Sequence, residues 1–141
     1  MTADSRPAYV LDSFAIICFL QDEPGADRVE RVLQRGREGR ADVLLCVVNY
    51  GEALYIIERE QGLQKAQQEG AFIERLPLHL MDADRILAQA AAHFKAQYPV
   101  SYADAFALAL AQAHAAKVVT GDPEFRETEA VVPVEWLPGK A

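Results

Sequence analysis

Four carboxylates sit where apolar stretches of this chain begin or end: Asp12, Glu52, Asp104 and Asp122. Asp12 closes the run Tyr9-Val10-Leu11, and Asp122 follows Val118-Val119-Thr120 by one glycine. Glu52 stands one helical turn beyond the apolar run 43–48, and Asp104 is the only formally charged residue between Lys95 and Lys117. A carboxylate placed at such a junction is costly to bury unless something pairs with it. Gathered in one cleft, the four would raise each other's pKa, and a divalent cation is the compensation that chemistry offers. Hard oxygen ligands suit Mg²⁺ or Mn²⁺, which keep several waters and accept phosphate oxygens. The adjoining helix starts would add N–H groups favourable to phosphate. The reaction this implies is attack of a metal-activated water on a phosphodiester, with a second metal steadying the leaving oxygen.

Each acid also has a plainer explanation. Ser101 with Asp104, and Asn49 with Glu52, fit the capping box, in which an acid three residues after the cap reaches back to the cap's N–H. Asp122 before Pro123 fits an N-cap followed by proline at the first helical position, and Asp12 fits a cap for a helix at Phe14. If capping were all they did, the chain would be an inert binding module with acids scattered over separate helix ends.

The elements that position the acids follow from hydrophobic patterning. The sequence predicts strands over 9–11 and 43–48, an edge strand over 78–81, a strand starting at Val118, and a last strand over 131–137. Pro133 confines that last strand to an edge. Helices are expected over 14–20, 26–35, 49–61, 63–76, 85–97 and 101–116, with Gly62 breaking the third and Asp82 or Asp84 starting the fifth. Strands alternating with helices specify an α/β fold with a parallel sheet. In such sheets ligands bind outside the carboxyl ends of the strands, which makes all four acids candidates for that one edge. No repeat or linker divides the 141 residues, so a single domain over 1–141 is expected.

Composition narrows the partners. A net charge of −7 argues against binding nucleic acid through a broad basic face, and suits a basic partner. No apolar run is long enough to span a bilayer, and the amino-terminal residues lack a signal-type apolar region, so a cytoplasmic protein is expected. Cys18 and Cys46 each lie inside an apolar run and read as buried free thiols. Residues 28–40 hold five arginines against two glutamates, which makes Arg35, Arg37 and Arg40 candidates for contacts to nucleic-acid phosphates. A solvated helix end, where arginines are favoured, is the plainer explanation. Other phosphotransfer designs fit poorly: Asp12-Ser13-Phe14 lacks the Asp-x-Asp of a haloacid-dehalogenase-like phosphatase, and Thr120-Gly121-Asp122 lacks the lysine of a receiver.

The ordered set Tyr9-Val-Leu-Asp12-Ser13, Asn49-Tyr-Gly-Glu52, Ala103-Asp104-Ala-Phe-Ala-Leu-Ala and Val119-Thr120-Gly-Asp122-Pro-Glu-Phe125 resembles the PIN-domain nucleases, and among them the VapC-type toxins of bacterial toxin–antitoxin pairs. The resemblance implies a PIN-like three-layer α/β/α fold with a short central parallel sheet. It implies a Mg²⁺- or Mn²⁺-dependent endoribonuclease with Asp12, Glu52, Asp104 and Asp122 as metal-binding, catalytic acids. Ser13 and Thr120 match polar positions that orient those acids. It further implies a homodimer and a cognate antitoxin that laps over the cleft, and it places Gly121 at a position the family leaves variable.

Overall fold

The computed structural model describes residues 6–139; the amino-terminal stretch 1–5, part of the segment read above for a signal, lies outside them. Five short parallel strands form one sheet in the order β3-β2-β1-β4-β5: β1 (Ala8–Leu11), β2 (Asp42–Cys46), β3 (His79–Met81), β4 (Lys117–Thr120) and β5 (Val134–Trp136). Helices α1 (Ser13–Leu20) and α2 (Ala26–Arg37) connect β1 to β2, and α3 (Val47–Gln61) and α4 (Leu63–Ile73) connect β2 to β3. Helices α5 (Arg85–Gln97) and α6 (Tyr102–Ala113) carry the chain back across the sheet to β4.

The strands are apolar on both faces because both faces are covered. Val10, Leu44, Cys46 and Val118 pack under α5 and α6. Their neighbours Tyr9, Leu11, Val43, Leu45 and Val119 pack under α1 and α2, joined by Ala53 of α3 and Ile73 of α4. Residues 104–111 of α6 are all buried, as a helix apolar all round must be. Both cysteines are buried and free. Among the described residues, no helix is long and apolar enough to cross a membrane.

The chain moves outward from β1 to β2 and β3, then returns to lay β4 on the other side of β1. The switch point therefore lies between β1 and β4, where the carboxyl ends of two neighbouring strands open a crevice.

Several boundaries differ from the patterning. The apolar run 43–48 is not all strand: β2 stops at Cys46, and Val47 and Val48 are the first residues of α3. An unbroken apolar run does not mark where a buried strand gives way to a buried helix. Asn49 is thus inside α3, and the N-cap position is held by Cys46, whose side chain makes no capping bond. Helix α4 ends at Ile73 rather than at residue 76, and β5 is three residues rather than the seven of 131–137. Both β3 and β5 occupy the edges expected for them.

Candidate active site

Asp12 ends β1 and caps α1. Its Oδ1 accepts from the Ala15 N–H at 2.8 Å, and its Oδ2 accepts from the Thr120 hydroxyl at the end of β4. The side chain is 1% exposed, and no Lys, Arg or His pairs with it among the described residues. Burial pushes its pKa up to about 7; the Thr120 and Ala15 hydrogen bonds oppose the rise, and the charges of Asp122 and Glu52 add to it. The Thr120 Oγ1 also accepts from the Asp122 N–H at 3.0 Å, so one hydroxyl joins two of the acids.

Asp122 caps the 3-10 helix Pro123–Thr128, its Oδ1 accepting from the Glu124 N–H at 2.9 Å. Asp104 lies in the first turn of α6. Half of the expected capping box is there: Ser101 Oγ accepts from the Asp104 N–H at 3.1 Å. The return arm comes from elsewhere, because the Ser101 N–H donates to Glu124 Oε1 at 3.2 Å. The Asp104 carboxyl is therefore not spent on its own helix. Burial raises its pKa, followed by a hydrogen bond shared with Glu124 and by the charges of Asp12 and Asp122. One carboxylate oxygen each from Asp104, Asp122 and Glu124 lie within 4.8 Å of one another.

Glu52 stands on α3 and accepts a hydrogen bond from the Ser13 hydroxyl at the start of α1. The Asn49–Glu52 capping box does not form, since α3 starts two residues before Asn49. Asn49 is 0% exposed, and its Nδ2 donates to the Ala103 carbonyl of α6 at 3.1 Å. Its Oδ1 has no hydrogen-bond partner among the described residues, a deficit of about 1–3 kcal/mol.

These elements enclose a cleft of about 340 Å³. Ser13, Glu52, Ser101, Asp104, Asp122 and Glu124 line it, Phe14, Ile17 and Ile56 form an apolar wall, and Gln21, Glu23 and Glu60 complete its lining. Among these lining residues there is no Lys, Arg or His. Asp12 lies just beneath, coupled electrostatically to Asp122, Glu52 and Asp104. The donor set is all carboxylate and hydroxyl oxygen, which fits a hard divalent cation. Gly121 is not a free position: a Cβ there would meet the Phe14 ring at 2.5 Å and the Pro138 carbonyl oxygen at 2.8 Å.

All four predicted acids and both predicted hydroxyls, Ser13 and Thr120, are thus brought to one site. Patterning missed Glu124, although it stands in the same stretch as Asp122. An acid in the first turn of a helix reads as an ordinary dipole partner, and only the seating of α6 over the 3-10 helix reveals its second role. The arginines are not brought to the cleft. Arg35 and Arg37 end α2, and Arg40 lies just ahead of β2, at the amino-terminal end of the strands and opposite the acids. Arg35 donates to the Tyr9 hydroxyl at 2.8 Å, and Arg40 pairs with Glu38.

Fold and site together define an α/β/α domain with a carboxylate cleft at its topological switch point. The family model for the PIN domain matches residues 9–131, and the chain belongs to that family. No functionally curated protein matches it by sequence. Among solved structures it is similar to VapBC from Salmonella typhimurium bound to DNA (21% identity, 92% of this chain and 97% of that one, TM-score 0.70). It is similar to VapBC2 from Rickettsia felis bound to a promoter fragment (12% identity, 92% and 98%, TM-score 0.70). VapC20 of Mycobacterium tuberculosis, a sarcin–ricin-loop-cleaving toxin, is also similar (16% identity, 93% and 99%, TM-score 0.67). At these identities the likeness is one of fold.

Two predictions follow from the site's packing and charge. A carboxyl whose pKa rises from 3.8 in the unfolded chain to about 7 in the folded one binds its proton more tightly when folded. Its contribution to stability is full below the unfolded value and is lost as pH climbs through the folded one. Without divalent cation, Asp12→Asn is therefore expected to gain on the wild type in thermal melts between about pH 4 and about pH 7 and to level off above, a trend that a constant difference would contradict. Gly121→Ala forces Phe14 or the Pro138 backbone aside and is expected to lower the unfolding free energy by about 1–3 kcal/mol, read from urea denaturation.

Proposed function

We propose that this protein is a Mg²⁺- or Mn²⁺-dependent endoribonuclease, the toxin of a type II toxin–antitoxin pair. The observation that carries the reading is the convergence of Asp12, Glu52, Asp104 and Asp122 from four elements on one cleft without a basic residue among those lining it. Capping does not compete with this role. Asp12 and Asp122 cap their helices and still belong to the site, because a carboxylate offers about four acceptor positions.

The bound cation supplies neutralising charge and an activated water. Asp12, Asp104 and Asp122 would hold it, with Glu52 and Glu124 completing the set from the cleft lining. Thr120 fixes the carboxylate of Asp12 and the backbone of Asp122 together, and Ser13 orients Glu52. In the hydrolysis, the water oxygen bonds to phosphorus as the bond to the leaving ribose oxygen breaks, and that oxygen takes up a proton. So acidic a cleft repels RNA until a cation is in place, which makes substrate binding as well as turnover metal-dependent.

The antitoxin, the homodimer and the RNA substrate come from the family resemblance, and the solved toxin–antitoxin complexes that share this fold support the first of them. The acidic cleft suits a partner that offers basic side chains. A cytoplasmic location accords with that setting.

The direct test is cleavage of cellular RNA with and without Mg²⁺. Asp12→Asn and Asp104→Asn are each expected to lower the rate by at least about a hundredfold. Undiminished cutting by both variants refutes the reading. Mn²⁺ titration separates it from the inert binding module, which takes up no metal. Replacing Arg35, Arg37 and Arg40 together by glutamine is expected to leave KM for RNA and its salt dependence unchanged. They stand at the far end of the strands, and a loss of salt dependence would place RNA there instead.

A further inference from the structure

Asn49 has lost the role its sequence context suggested, yet it is a fully buried polar side chain, 0% exposed, three residues before Glu52. Among the described residues, its amide makes the one side-chain hydrogen bond that joins α3 to α6. The acceptor, the Ala103 carbonyl, belongs to the residue immediately before Asp104. Within α6 the helical ladder already gives that carbonyl the Ala107 N–H, so the backbone of α6 does not need Asn49 for its satisfaction. The other end of the same amide, Oδ1, has no partner among the described residues. A residue selected for stability at this place would be apolar, since replacing an incompletely paired polar group by an apolar one of similar shape is neutral or stabilising.

Resting on the nuclease reading above, we infer that Asn49 is a positioning residue of the cleft: its Nδ2–Ala103 bond sets the distance between the first turn of α3 and the first turn of α6, and so between Glu52 and Asp104. Both acids line the cleft, and among the described residues no hydrogen bond joins them directly. Glu52 is fixed to α1 through Ser13, and the start of α6 to the 3-10 helix through the bond from the Ser101 N–H to Glu124. The Asn49 amide is the side-chain link that closes this ring of elements around the cation position. A displacement of about 1 Å at such a site can lower turnover by about a hundredfold.

The test compares wild type with Asn49→Leu, which keeps the branched outline of the side chain, and with Asn49→Ala in case leucine does not pack. Far-ultraviolet circular dichroism and thermal melts without metal report folding, Mn²⁺ calorimetry reports the cation site, and steady-state RNA cleavage separates kcat from KM. The expected result is an Asn49→Leu protein melting at or above the wild-type temperature. Its Mn²⁺ affinity falls at least about tenfold, and at saturating Mn²⁺ its kcat falls at least about tenfold while KM for RNA stays within about a factor of two. Unchanged kcat and Mn²⁺ affinity in a folded variant overturn the inference alone, as does a loss of stability with no change in either. A wild type that neither binds Mn²⁺ nor cuts RNA sinks the nuclease reading and takes this inference with it.

Discussion

A carboxylate taken out of water with no cation beside it must be held by neutral donors, and Asp12 is in that position. The Ala15 N–H and the Thr120 hydroxyl are its hydrogen-bonding support, and they do not offset the burial, which leaves its pKa near 7. Parallel strands β1 and β4 must end side by side for this contact to form, because Asp12 and Thr120 are 108 residues apart in the chain. The switch in strand order between β1 and β4 makes them neighbours, and the rest of the cleft is arranged around their meeting point. A cluster of like charges built on this floor is a reservoir of unfavourable energy that a cation would relieve.

The acids show how one residue type serves helix and site together. Asp12 and Asp122 each accept from a backbone N–H two or three residues ahead, as caps do, and the same bonds fix the carboxylates that face the cleft. Glu124 caps α6 from a different element, which frees Asp104 from its own capping box. Local capping and long-range convergence are the same set of hydrogen bonds seen from two sides. The question the sequence poses, caps or ligands, therefore has no exclusive answer.

The acids and the alternation of strands with helices were legible because each is written locally, as a charge closing an apolar run or a run between turn signals, whereas Ser13 and Thr120 came only with the family resemblance. Three features were not. The boundary between β2 and α3 lies within one apolar run, so Asn49 was misplaced as a cap when it is an interior residue bridging to α6. Glu124 needed the tertiary seating of α6 to acquire meaning. The arginines formed a clear charge excess, yet composition does not say at which end of a sheet a helix terminus falls. Topology would have said so: α2 leads directly into β2, so its carboxyl end must lie where the strands begin, away from the acids.

The central claim is that these carboxylates share a cation, and anomalous scattering from a crystal grown or soaked with Mn²⁺ tests it most directly. Anomalous density is expected in the cleft within bonding distance of oxygens from Asp12, Asp104 and Asp122. A fully soaked crystal with no peak there, or with Mn²⁺ bound elsewhere alone, would contradict it.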